Sequence, residues 1–439
     1  MRVYKGSLLS PEEAFKGGSF LIGSGGNVEL KRFYLRDLYD RWWVKDIYIE
    51  SKNFNKTTLV IGKMGSGKSN LLKYIVASFP DNRFIIHDIK GEYTAHFYQE
   101  GDVIVNHLDK RGIVWDVLKD CRKDKMLARS VFYNMVASYN KGKDAEFWTL
   151  KAVEWLMKLL EYVPELKPKE TALAIYEWYK KQKELSLNST EASGLATALP
   201  TVQTLLDLYS LAYLSDKPLL TLDEILARRK VFLVFLPEFA RPLSIVNQGF
   251  LSASFNRYLS RPDTKDFKDY TFFILDEYLN FNIDPDLEKQ VLTLARSKGM
   301  CLFLGMQFLP VDSKDRLSLL MNSRHFLFAF RVDAVETAKV LAESSGSLEY
   351  GVEDISMQES DFSLTNIMGG LSGQVQHTRV QTYTVPPEVF LDLRDYIAYA
   401  EITTSSGKLK TFIKPVWYDL PEITGGFIRD ENSYHLKSL

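Results

Sequence analysis

The run Gly62-Lys63-Met64-Gly65-Ser66-Gly67-Lys68-Ser69 constrains this chain more than any other. It has the spacing G-x4-G-K-S and lies between a β-branched run, Thr57 to Ile61, and a stretch from Asn70 to Ser78 whose Leu71, Leu72, Ile75 and Val76 share one helical stripe. A glycine-rich turn between strand and helix aims successive N–H groups and the positive end of the helix at an anion. The pattern therefore predicts a phosphate cradle formed by Gly62, Lys63, Met64, Gly65, Ser66 and Gly67. Lys68 supplies a point charge for the β- and γ-phosphates and Ser69 a hydroxyl for Mg2+, so the cofactors expected are ATP and Mg2+.

The strands that follow predict the fold class. Arg83 to Asp88, Lys230 to Leu236, Tyr270 to Leu275, Cys301 to Met306 and His325 to Phe330 are apolar throughout instead of alternating, as in strands covered on both faces. An α/β fold with a mainly parallel central sheet results. Asp88, at the carboxyl end of its strand, falls where ligands sit in such sheets, and is expected to join the nucleotide site. From Trp115 to Arg229 the periodicity is helical, over Met126 to Tyr139, Asp144 to Tyr162 and Glu170 to Glu184, which reads as an inserted all-α domain. Its aromatics Phe147, Trp148, Trp155, Tyr176 and Trp178 fit a helical core better than a base-stacking platform. Beyond residue 370 the alternation of residues 375–382, and a Ser405-Ser406-Gly407 turn, predict β-hairpins at the sheet margin.

The expected organisation is a β-rich segment over 1–50, a nucleotide-binding domain split into 51–114 and 230–420, the helical insertion at 115–229, and a mobile tail at 421–439. Within the first segment Gly23-Ser24-Gly25-Gly26 is expected to turn a hairpin, and Asp46 to Glu50 to form an edge strand. Composition supports a sizeable core but draws the whole chain to no polyanion, since 55 Lys and Arg balance 56 Asp and Glu. Cys121 and Cys301 stand apart from any metal-ligand spacing, which argues against a zinc site or disulfide and fits a reducing cytoplasm. No stretch approaches about eighteen apolar residues, and the start lacks a signal-peptide core, so neither a membrane span nor export is expected.

Phe272-Phe273-Ile274-Leu275-Asp276-Glu277 has the form of a Walker B strand. Asp276 would serve the Mg2+ shell and Glu277 would orient or deprotonate the water that attacks the γ-phosphate, which points to a hydrolase. Gln307, just past the strand ending at Met306, is either a sensor of the γ-phosphate or a strand-end cap. Arg296, in a surface turn before that strand, is either a solvated charge or a catalytic arginine, with Arg324 and Arg331 as rivals.

These residues together resemble a family. The P-loop, His87-Asp88-Ile89-Lys90-Gly91-Glu92, the Asp276-Glu277 strand, Ala295 to Gly299 leading to Gly305-Met306-Gln307, and Arg331-Val332-Asp333 through Glu336-Thr337-Ala338 are similar to the conjugative coupling proteins of type IV secretion, over roughly residues 55 to 420. Those are RecA-like ATPases related to the FtsK and HerA DNA translocases. The resemblance implies Lys68 and Ser69 as phosphate and metal residues, Asp276 and Glu277 as the Walker B pair, Arg296 as an arginine finger and Gln307 as the sensor. It also implies a hexameric ring that moves DNA, with single strands favoured, and relaxosome and secretion-channel proteins as partners at the inner membrane. The membrane helices typical of that family have no counterpart here, so membrane contact is expected only through a partner. Such a channel needs a local basic strip, for which Arg122, Lys123, Lys125, Lys141 and Lys143 are the candidates. A packaging or DNA-processing motor, or a nucleotide-gated docking platform, are the alternatives.

Overall fold

The computed structural model describes residues 15–16, 19–26, 43–50, 53–137, 145–187, 192–235, 240–357, 373–404, 407–416 and 420–430. Sixteen strands are assigned, in chain order: β1 Phe15–Lys16, β2 Ser19–Gly26, β3 Trp43–Glu50, β4 Thr57–Ile61, β5 Arg83–Ile89, β6 Val103–Ile104, β7 Val114–Trp115, β8 Leu219–Leu220, β9 Lys230–Phe235, β10 Thr271–Leu275, β11 Met300–Met306, β12 Arg324–Ala329, β13 Ser347–Met357, β14 Gly373–Tyr383, β15 Ala398–Thr404 and β16 Gly407–Pro415. Twelve form one sheet in the order β1-β2-β16-β15-β12-β4-β11-β10-β5-β9-β6, with β3 paired to β2. From β12 to β6 every pairing is parallel. The remainder of the sheet is antiparallel.

Continuous apolarity in the central strands is explained by burial on both faces. In β10, Phe273 and Leu275 join the core that runs into the helical region, whereas Phe272 and Ile274 face the opposite core under the P-loop helix, Lys68–Ser78. Phe272 stacks on Phe79, Phe84 and Phe303, with centroids 5.0–6.0 Å apart. Between β7 and β9 lie the helices Val117–Lys123, Lys125–Ala137, Ala145–Tyr162, Pro168–Leu187, Ala192–Leu214 and Leu222–Leu226, interrupted by the two-residue β8. Leu156, Trp178, Val202 and Leu206 there share a continuous apolar cluster with Leu59 and Phe273 of the sheet. No helix among the described residues is long and apolar enough to cross a membrane.

Several expectations are corrected. Gly23 to Gly26 do not turn a hairpin: they continue β2, whose ladder with β3 shifts register between Leu21 and Gly23 and between Gly25 and Gly26. Glycine suits such bulges. The alternating run 375–382 pairs with β13 as a separate two-stranded sheet, and the hairpin β15–β16 lies inside the large sheet, between β12 and β2, instead of at its margin. Residues 421–430, expected to begin a mobile tail, lie against the nucleotide-binding part. Ile423 and Thr424 donate backbone N–H groups to Ala95, the Arg111 guanidinium donates to Gly426, and Asp430 pairs with Lys217 at 2.6 Å. Of the aromatic stripe, Trp178 is core and packs against Trp155, but Phe147 and Tyr176 are exposed. Gly17-Gly18, Lys141, Lys143, Asn188 to Thr190, Ser405-Ser406 and residues 431–439 lie outside the described residues.

Because Phe272 is fully buried among five other rings, Phe272→Ala should cost about 3–5 kcal/mol. Equilibrium denaturation reads this, and a loss below about 1 kcal/mol would mean that the facing core can collapse into the gap.

Candidate functional site

The parallel strands put their carboxyl ends on one edge of the sheet, and β4, β10 and β11 deliver three pieces of the site there. Beyond β4 the P-loop curls with Gly65 and Gly67 at φ +77° and +114°, which glycine alone adopts cheaply. Gly62 is needed for room: a Cβ there would come within 2.6 Å of Ser66 Oγ and 2.7 Å of Phe330 Cβ. The loop is held from outside by Arg331, whose carbonyl accepts from Lys63 N–H at 2.8 Å, and by Tyr396, whose N–H donates to the Ser66 carbonyl. Lys63 pairs with Asp333 at 3.0 Å. The Arg331-Val332-Asp333 run is thus a clamp on the loop.

Lys68 and Ser69 form the first turn of the P-loop helix, beside the end of β10. Lys68 Nζ is buried, 3.0 Å from Asp276 Oδ1 and 3.8 Å from Glu277 Oε1. Ser69 Oγ donates to Asp276 Oδ2 at 3.1 Å, and the Tyr93 hydroxyl donates to the same oxygen at 3.2 Å. Gly305 of β11 permits this packing, since a Cβ there would meet Asp276 Oδ1 at 2.7 Å. Gln307 Nε2 donates to Glu277 Oε1 at 2.8 Å, so the strand-end glutamine is joined to the second carboxylate. Glu277 itself sits at φ +60°, a strained position for a residue with a Cβ.

These groups line an open cleft of about 700 Å³, with Met64, Lys73, Lys90, Asn280, Tyr396 and Leu420 among its walls. Hard oxygen donors from Ser69 and Asp276 suit a Mg2+ ion that takes its other ligands from phosphates and water. The described residues contain no cluster of three or more acidic, histidine or cysteine ligands that would hold a metal alone.

Sequence-based placement fails for Asp88. It is fully buried and outside the cleft: Oδ1 accepts from Tyr93 N–H, and Oδ2 accepts from the N–H and hydroxyl of Thr94, at 2.7–3.1 Å. It thereby takes first-turn N–H groups of the short helix Glu92–Phe97, whose N-cap is Gly91, and burial raises its pKa to about 6. Arg296 lies at the other end of the sheet. Its carbonyl accepts from Asn55 Nδ2, before β4, and it precedes β11, so about 20 Å of strand separates it from its own P-loop. Arg296 is exposed. Its rivals are engaged: Arg324 with Glu401 and Ser344, and Arg331 with Asp395 at 2.6 Å. Arg122 is spent on the carbonyls of Val163 and Pro164 at a helix end, which removes it from any basic strip.

Residues that pattern reading missed are Tyr93, His87 and Tyr396. His87 follows from the strand pairing, because Leu275 is level with His87 and the next carbonyl, that of Asp276, accepts from His87 Nδ1 at 2.7 Å, whereas Tyr93 comes from the helix Glu92–Phe97 beyond β5. Tyr396 arrives from a distant turn and carries no local signal.

The fold is α/β, a large mainly parallel sheet with the P-loop between β4 and the helix Lys68–Ser78. A model of the type IV secretion-system coupling protein DNA-binding domain matches residues 43–406, and the chain belongs to that family. Among solved structures it is similar to the bacterial conjugative coupling protein TrwB lacking its first 70 residues, in an unbound form, at 18% identity and TM-score 0.66 over 93% of this chain and 96% of that one. TrwB with the non-hydrolysable ATP analogue ADPNP matches at 18% identity and TM-score 0.67, over 93% of this chain and 100% of that one. TrwB with ADP and Mg2+ matches at 17% and 0.66, over 94% and 97%. No curated protein sequence matches the chain significantly.

His87 gives a pH test. A carbonyl only accepts, so Nδ1 carries the proton and the ring is neutral; burial lowers its pKa to about 4 from 6.5. The unfolded chain therefore protonates first, and this residue's contribution is intact above pH 6.5 and is lost as pH falls towards 4. Asp88, raised from 3.8 to about 6, acts in the opposite sense over nearly the same interval. His87→Gln should accordingly gain stability relative to wild type between pH 6.5 and 4, by on the order of 2–3 kcal/mol. Parallel stability–pH curves for the two proteins would show that His87 does not titrate differently on folding.

Proposed function

We propose that the chain is an Mg2+-dependent ATPase that couples hydrolysis to moving DNA, with any attached protein, into a type IV secretion channel. The observation that carries this reading is the joining of Lys68, Ser69, Asp276, Glu277 and Gln307 in one open cleft of a coupling-protein chain. TrwB, on the same fold, has been solved with ADPNP and with ADP and Mg2+.

Each role follows from chemistry. The P-loop N–H groups and Lys68 bind the β- and γ-phosphates; Lys68 is held meanwhile by carboxylates that a phosphate replaces. Ser69 and Asp276 would hold Mg2+, which when bound neutralises phosphate charge. Glu277 accepts a proton from, or aligns, the attacking water, and Gln307 keeps its carboxylate in place. Arg296 cannot serve its own cleft, and acts on the γ-phosphate of a neighbour in a head-to-tail ring.

Lys68→Ala should abolish turnover and weaken nucleotide binding, whereas Glu277→Gln should keep binding and stall before hydrolysis. A phosphate-release assay with nucleotide titrations decides this, and near-normal turnover by Lys68→Ala would sink the ATPase reading. For the ring, Arg296→Ala and Glu277→Gln should each be nearly inactive alone yet regain part of the activity when mixed, because some interfaces then pair an intact Glu277 with an intact Arg296. If exchange of subunits is demonstrated and no activity returns, Arg296 does not act in trans.

A further inference from the structure

Three residues other than glycine have positive φ among those described, Lys90 at +79°, Glu277 at +60° and Tyr396 at +63°, and all three line the nucleotide cleft. Such strain persists where surrounding structure imposes it, and it gathers at functional sites. Tyr396 buttresses the P-loop, and Glu277 belongs to the catalytic pair. Lys90 has no role in what precedes.

Its surroundings supply one. Leu275 is in register with His87 on the adjacent strand, and Lys90 directly follows the end of β5 as Asp276 and Glu277 directly follow the end of β10. Neighbouring strands are about 4.8 Å apart, which puts the space beside Glu277 within reach of a lysine side chain. The other lysines of the cleft are paired: Lys63 with Asp333, Lys68 with Asp276 and Lys73 with Glu92. Lys90 is exposed and makes no ion pair among the described residues. Its backbone is fixed by the next residue, Gly91, also at +79°, against which Gly426 packs so closely that a Cβ on Gly91 would fall 2.5 Å from the Gly426 carbonyl carbon. A turn without a ligand to meet would hold glycine or asparagine here more cheaply.

We infer that Lys90 is a second phosphate-contacting lysine of this cleft, bonding the terminal phosphate of a bound nucleoside triphosphate. This rests on the nucleotide-site reading above. Its ammonium adds positive charge on the Glu277 side of the phosphate chain, opposite the P-loop, and so distinguishes triphosphate from diphosphate.

The test uses calorimetric titration of the full chain with ADPNP and with ADP, in Mg2+, alongside thermal unfolding. Lys90→Gly relieves the backbone and should unfold at or above the wild-type temperature, yet bind ADPNP at least about tenfold more weakly with ADP affinity unchanged. Lys90→Met, which keeps the strain and the bulk but not the charge, should show the same selective loss, and Lys90→Arg should restore most of it. ADPNP binding at wild-type strength by Lys90→Gly and Lys90→Met, while Lys68→Ala binds poorly, overturns the inference and leaves Lys90 a turn residue. Wild-type binding of both nucleotides by Lys68→Ala overturns the nucleotide site itself, and the inference with it.

Discussion

The carboxylate of Asp276 is the point on which the site is built. One oxygen takes Lys68 Nζ and the N–H of Glu277, the other takes Ser69 and Tyr93, and the backbone carbonyl takes His87. A buried ion pair repays its desolvation only when the remaining lone pairs are satisfied, and here four donors satisfy them. The P-loop helix, β5, β10 and the helix Glu92–Phe97 are thereby locked to one another through a group that a bound metal and phosphate would have to share. Before any nucleotide arrives, the cleft already holds a positive charge where the phosphate chain is expected and a ligand oxygen where a metal is expected.

Holding that geometry carries a local strain. Glu277 takes the left-handed conformation directly after the strand, and its carboxylate turns back far enough to meet Gln307 and approach Lys68. A residue with a Cβ costs about 1–3 kcal/mol there. The surrounding sheet offsets this, being apolar on both faces with the β10 side chains fully buried. The sheet is overdetermined so that its carboxyl edge can be strained.

Much of this was legible in the residues. The P-loop between strand and helix, and the two-faced apolar runs, specify a parallel sheet with its site on one edge, because phosphate binding and strand burial each leave a strong local pattern. Asp88 was misplaced because a carboxylate at a strand end suits both ligand binding and helix capping, and only the position of Thr94 decides between them. Gly23 to Gly26 misled for a similar reason, since glycine serves bulges as readily as turns. What the residues could not yield were contacts made by distant segments. The run 421–430 reads as a polar tail, yet carbonyls and N–H groups of it are taken by Lys110, Ala95 and Asp109, and only tertiary packing reveals that.

The strand β11 links the two ends of the proposed reaction. Arg296 stands in the turn before it, Gln307 follows it, and the seven residues of the strand are buried, Met300 to Leu304 paired with β10 and Phe303 to Met306 with β4. A strand so held moves as a rod, since any slip would turn Phe303 and Leu304 to the wrong faces and drive Gly305 off Asp276. On the proposed reading, a shift of Glu277 and Gln307 on γ-phosphate loss would therefore be passed along β11 to the turn that carries Arg296, about 20 Å away. A ring built from this chain would have each subunit's sensor and its contribution to the neighbouring site at opposite ends of one rigid element, and that places the coupling between adjacent clefts in the sheet itself instead of in the loops.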